Sequence, residues 1–214
     1  MKGPQNRTMA VPALDLPLAL WFYTTFIQQP YVQKRHLRRH FGFGGGRPGS
    51  SEDWELFAAI LLRTGRNAAS RYGHDLAAAE VKSARVGSSF EYQYHLNTGV
   101  AKLDAEHTID HVFVSYDDSG VIVRLLAGAA LRPIFESWRA PLLSNYDVSN
   151  PSRRQRFRKN IPYGMVAREG CVLLHLQDGQ LIQPLPPTPL EQAEARARGE
   201  ALLPRLPAPD PASE

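Results

Sequence analysis

Apolar and polar positions repeat along this chain in two rhythms. In residues 50–65, SSEDWELFAAILLRTG, Trp54, Phe57, Leu61 and their neighbours recur at helical spacing and make one apolar face. Ser50 or Ser51 serves as a cap, Glu52 and Asp53 suit the positive end of the dipole, and Gly65 is a stop. Residues 109–126, IDHVFVSYDDSGVIVRLL, are two β-branched and aromatic runs around Asp117-Asp118-Ser119-Gly120, which predicts a hairpin. A second hairpin is predicted over 171–185, turning at Asp178-Gly179. The pattern also predicts a buried helix over 18–29 beginning near Pro17, a mostly helical segment over 89–107, and helices near 129–140 and 190–203. Residues 31–51 combine Lys34, Arg35, Arg38 and Arg39 with glycines, and are expected to form a mobile basic loop.

Residues 73–85, GHDLAAAEVKSAR, fit both rhythms. Asp75 is a good helix cap and alanine a good helix former. Against this, Tyr72-Gly73-His74 is poor helix material, and Val81, Val86 and the following Gly-Ser-Ser extend no amphipathic stripe. The geometries differ in consequence. Residues two apart on a helix do not face each other, whereas on a strand they share a face about 7 Å apart. Residues 68–86 are therefore expected to be short strands, with 77–86 the central one. Val81 then points to the core, and Glu80 and Lys82 point together to the open side.

The resulting order is helix, strands, helix, hairpin, an α/β fold with a mixed β-sheet flanked by helices. It carries a helical N-terminal part and a C-terminal β-hairpin plus Pro-rich tail. We expect one domain over 1–182 and an arm over 183–214, because eight of the seventeen prolines fall in the last 32 residues. That arm is expected to contact a partner or to be loosely ordered.

Composition narrows the classes. At 43% hydrophobic residues in 214, the chain can bury a core. A single cysteine, Cys171, excludes a disulfide framework and a Cys-rich zinc site, and suits a reducing compartment. The apolar stretch 11–27 is interrupted by Asp15 and Pro17 and is too short to span a membrane. Gly-Phe-Gly-Gly-Gly at 42–46 lacks the Gly-Lys-Ser/Thr ending of a phosphate loop, so no nucleotide cofactor is expected. His74, His95, His107 and His111 show no compact spacing with carboxylates, which argues against zinc.

Asp75…Glu80-Val81-Lys82 resembles the acid–acid-x-lysine signature of the PD-(D/E)XK nuclease superfamily, which includes most type II restriction endonucleases. The resemblance covers about residues 50–126, including a preceding helix with an acid, Glu55 or Glu52. It implies a restriction-endonuclease-like catalytic core and Mg²⁺ held by Asp75, Glu80 and the Val81 carbonyl. Lys82 would stabilise developing charge or orient water. The sequence departs from the family pattern in two ways. A five-residue offset from one acid to the next is tight, and no proline precedes Asp75. If Asp75 only caps a turn, Glu55 completes the site.

The substrate the resemblance implies is double-stranded DNA, cut site-specifically by a cytoplasmic prokaryotic homodimer. Arg35, Arg38, Arg39, Arg153, Arg154, Arg156, Arg158 and Lys159 are candidate DNA contacts. Gln93 is a candidate polar residue near the metal or facing DNA. Two alternatives stand beside this reading: a structure-specific repair or recombination nuclease, and a non-catalytic DNA-binding protein in which Glu80 and Lys82 form an ion pair.

Overall fold

A computed structural model describes residues 12–42, 46–67 and 74–203. Phe43, Gly44 and Gly45 of the predicted basic loop, residues 68–73 and the two ends of the chain lie outside the described residues.

The fold is α/β, built on a mixed five-stranded sheet in the order β1-β3-β4-β6-β7. Its strands are β1 (Ala79–Arg85), β3 (Asp110–Tyr116), β4 (Gly120–Ala127), β6 (Cys171–Gln177) and β7 (Gln180–Gln183). β1 runs parallel to β3, and the other neighbours are antiparallel. A separate two-stranded ribbon pairs β2 (Phe90–His95) with β5 (Arg156–Ile161). Both predicted hairpins form. In the β3–β4 turn, Asp117 Oδ1 accepts from the amides of Ser119 and Gly120 at 2.7 and 3.0 Å, which closes it.

Alternation along the strands fills both faces. Val81, Val112, Val114, Val121 and Val123 face one apolar layer with Trp54, Phe57 and Ile27. Ala84, Phe113 and Leu126 face a second layer with Phe135, Trp138 and the aromatics of β2. The first layer is covered by α1 (Leu16–Phe22) and α3 (Ser51–Leu61). The second is covered by α4 (Gly99–Glu106) and α5 (Gly128–Tyr146), with α6 (Tyr163–Glu169) contributing Val166. α3 is capped as expected: Ser50 Oγ accepts from the Asp53 amide at 3.2 Å, and Asp53 Oδ2 accepts from the Ser50 amide at 2.7 Å. It ends before Gly65, at a left-handed turn on Arg63 with φ 53°.

Four expectations are corrected. The first concerns 31–51. Helix continues from α1 through a π-helical turn, Tyr23–Gln28, into α2 (Gln29–His40), so 31–40 is helical and not loop. Pro30 has no N–H to return to the turn before it, which suits a widened turn there. Arg38, Arg39 and His40 occupy the last turn, where cations favour a helix.

The second concerns 89–107. FEYQYH is a strand, because Phe90, Tyr92 and Tyr94 are buried while Glu91, Gln93 and His95 face outward. This is a period of two, and helix begins only at Gly99. The third concerns β1, which lies at the sheet edge and not at its centre. Joining it in parallel to β3 needs a crossover, and β2 and α4 form that connection.

The fourth concerns the C-terminal segment. α7 (Pro189–Ala201) is docked on α1 and not loose. A Cβ at Gly199 would run into the Trp21 ring, so the absent side chain allows the close approach. Arg198 also grips both oxygens of Asp15 at 2.9 and 3.0 Å.

Candidate active site at the edge of β1

The four residues between Asp75 and Glu80 make a tight loop, not a hairpin. The Leu76 amide donates to the Ala79 carbonyl at 2.9 Å, and Leu76 is buried as a plug beneath the loop. The loop lays Asp75 along the exposed edge of β1, where Asp75 Oδ2 accepts from the Val81 amide at 2.9 Å. The Asp75 amide in turn donates to Glu80 Oε2 at 3.3 Å. Short spacing therefore brings the two acids together.

Glu80 and Lys82 share a face of β1, opposite His111 and Phe113 of β3. Glu80 is fully buried. Its Oε1 accepts from Lys82 Nζ at 2.5 Å and from Lys102 Nζ at 2.7 Å. Lys82 also lies 5.1 Å from the centre of the Tyr92 ring. Burial works to raise the Glu80 pKa, but Lys82, the His74 hydrogen bond and Lys102 outweigh it and hold the carboxyl well below the usual range. For Lys82, burial works against the charge, and Glu80 and Asp75 outweigh it, so its pKa is raised.

A cleft of about 490 Å³ opens over this group. Glu55 of α3 lines it together with Asp75, Glu80, Val81 and Lys82, and Glu91, Gln93, His95 and Lys102 form the opposite side. Glu55 is the helix acid that lines this cleft; Glu52 lines an adjoining hollow that shares Glu55 and Asp75 with it. Burial first, and then the Asp75 charge, push Glu55 up to about 7. Asp75 is raised by burial and by Glu80.

Beneath the cleft lies Glu106, fully buried at the end of α4 with neither carboxyl oxygen hydrogen-bonded. Burial and the Glu80 charge push it up to about 8. His74, Glu80 and Glu106 offer ligand atoms within 4.8 Å of one another, so the fold forms a compact His/carboxylate group that the linear spacing of the histidines conceals. His111, buried and hydrogen-bonded to Tyr92 Oη at 2.8 Å, is held down to about 4 chiefly by burial.

The donor set fits a hard divalent cation. Asp75 and Glu80 supply carboxylates. The N–H and C=O of one strand residue point to the same side, so the Val81 carbonyl faces Asp75 as its amide does. Burial is the first cause of the raised pKa at Asp75 and at Glu55, and a neighbouring carboxylate adds to each; a cation bound between them would lower both.

The arginines divide into separate groups. Arg35 stacks on Tyr31 at 5.2 Å and pairs with Asp118 at 2.8 Å, so it braces α2 against the β3–β4 turn. Arg39 is exposed on α2, and Arg38 packs its guanidinium beside Gly46. Arg153 and Arg154 are exposed in the turn before β5. Arg156 and Arg158 lie on the outer face of the ribbon, whereas Lys159 lies on the other face, 5.5 Å from the centre of the Phe157 ring. No acidic run lies near 153–159 in sequence, but Asp147 acts on Arg153 and Glu91 of β2 stands 3.6 Å from Arg158.

Sequence reasoning missed two residues of α4, Glu106 and Lys102. Lys102 is a single lysine in the first turn of α4, twenty-two positions from Glu80, and only the fold aims it. No protein-family model matches the chain, and a search of curated proteins finds no match.

Proposed function

We propose that this chain is a Mg²⁺-dependent, site-specific endonuclease of double-stranded DNA, of the PD-(D/E)XK type, acting as a homodimer. One observation carries the reading: Asp75, Glu80, Lys82 and the Val81 carbonyl edge converge at one cleft on a strand that alternates as the resemblance requires.

Asp75, Glu80 and the Val81 carbonyl would hold the ion, with Glu55 adding negative charge beside them. Bound there, Mg²⁺ supplies a polarised phosphoryl oxygen and a water of lowered pKa. Lys82 keeps its proton, because Glu80 and Asp75 hold it charged. It therefore serves as a cation toward the developing phosphorane charge and not as a general base. Lys102 adds a second ammonium at the same carboxylate, which orients Glu80 and offers a further phosphate contact. Arg153 and Arg154 take backbone phosphates outside the cleft.

Mixed-sequence plasmid incubated with and without Mg²⁺ tests this. Discrete fragments, dependent on Mg²⁺ and absent from Glu80→Ala, are expected. A cut confined to branched or nicked substrates would favour a repair nuclease. Binding with no cleavage at any Mg²⁺ concentration would overturn the nuclease reading.

A further inference from the structure

We propose that the β2–β5 ribbon is the base-reading element, entering the major groove of duplex DNA and presenting Gln93 and Arg158 to base edges. This rests on the endonuclease reading and assigns the determinant of its sequence preference.

The ribbon is two-sided. Phe90, Tyr92, Tyr94 and Ile161 are buried against Phe135 and Trp138 of α5. The opposite face carries only polar side chains: Glu91, Gln93 and His95 from β2, opposite Asn160, Arg158 and Arg156 of β5. All are exposed except Gln93, which is half-buried. Among the described residues the ribbon forms no ladder with the five-stranded sheet.

Size and charge select the occupant. The major groove is about 12 Å wide and admits a two-stranded ribbon, and six residues of strand reach roughly 20 Å. Arg153 and Arg154 precede the ribbon at one end and are placed to meet phosphates as it enters. Glu91, Gln93 and His95 also line the cleft that holds Glu80 and Lys82, so a base pair on the ribbon lies beside the reacting phosphate.

Gln93 and Arg158 are cross-strand partners. With its amide oxygen toward Arg158, Gln93 accepts from Nε and Nη2 at 2.9 and 3.0 Å. Glu91 stands 3.6 Å from the same guanidinium. The pair is held in place before DNA arrives, which lowers the ordering cost of recognition. An amide and a guanidinium are the groups that read adenine and guanine edges in this groove.

The test enriches bound duplexes from a random-sequence pool with the Lys82→Ala chain, in EDTA so that bound DNA is not cut. The same selection is run in that background with Gln93→Ala, Arg158→Ala and Arg158→Lys added. Cleavage by the parent chain is assayed separately and reports on the nuclease reading alone. A defined motif is expected before substitution, with preference at one or two positions reduced roughly 10–100-fold in each variant. Arg158→Lys keeps the charge and loses the fork, so it should keep affinity for arbitrary duplex while losing the preference. An unchanged motif in all three variants overturns the proposal even if the parent cuts DNA. No motif before substitution overturns it as well. Thermal unfolding of each variant shows whether a weakened preference merely reflects a disrupted fold.

Discussion

Lys102 and Lys82 reach the same oxygen of Glu80 from different elements, at 2.7 and 2.5 Å. Each ammonium offsets part of the cost of holding a fully buried carboxylate. Removing either one should leave Glu80 compensated by the other. Removing both should destabilise the fold by about 3–5 kcal/mol, more than the sum of the single variants, because a buried charge is stranded. Urea unfolding of Lys82→Ala, Lys102→Ala and the double variant checks this. Additive small effects would mean that Glu80 takes up a proton at little cost.

The two lysines should differ in catalysis. Lys82→Ala is expected to reduce cleavage by roughly 100-fold or more, with most DNA affinity kept, as for loss of a group that stabilises transition-state charge. Lys102→Ala should reduce it less. Single-turnover cleavage beside filter binding separates the steps, and parent rates in Lys82→Ala would remove the lysine from the reaction.

Asp75 and Glu55 line one cleft but hold different places in it. Asp75 is a proposed ligand, and Asp75→Asn can still accept the Val81 amide but loses the charge, so it should abolish cleavage at any Mg²⁺ concentration. Glu55→Gln should raise the Mg²⁺ concentration needed by roughly 10–100-fold, as for a group that supports the ligands without being one. Mg²⁺ titrations of both variants measure this, and an inactive Glu55→Gln with an active Asp75→Asn would exchange the two roles.

Glu106 makes the stability of the metal-free protein depend on pH. Its folded pKa is raised from 4.5 to about 8, so the folded state binds the proton more tightly than the unfolded chain. This stabilisation is fully present below about 4.5 and is lost as pH rises toward 8, by at most about 1.4 kcal/mol per pH unit. His111, held down to about 4 from 6.5, has the opposite slope and opposes the effect below 6.5. The decline should therefore show between 6.5 and 8 and shrink in Glu106→Gln. Urea midpoints in EDTA at several pH values give the comparison.

Arg153 and Arg154 carry no assigned base-reading role. Replacing both with alanine should weaken binding alike on all duplexes. It should also make the salt dependence shallower, by roughly 0.9 in slope for each phosphate that is no longer neutralised. An unchanged slope in binding isotherms would place the phosphate contacts on other cations.

Much of the fold is legible where its cause is local. The Ser50–Asp53 cap, the Asp117 turn and the alternation that aims Glu80 and Lys82 to one side act within a few residues, so the linear order carries them. The aromatic alternation of FEYQYH is equally local, but it runs within a few residues into a helix whose pattern masks it. Other features depend on what meets across the fold. β1 is an edge strand because its other side is taken by the Asp75 loop, a competition that composition does not register. Gly199 tightens α7 only because Trp21 stands opposite. Lys102 belongs to the site because α4 packs where its first turn overlooks Glu80, and the same lysine on the same helix elsewhere would be solvated surface. The chain alone thus determined the local elements and the Glu80–Lys82 face. Tertiary packing decided which distant charges surround that face, because Coulomb and hydrogen-bond energies depend on distance in space and not on separation along the chain.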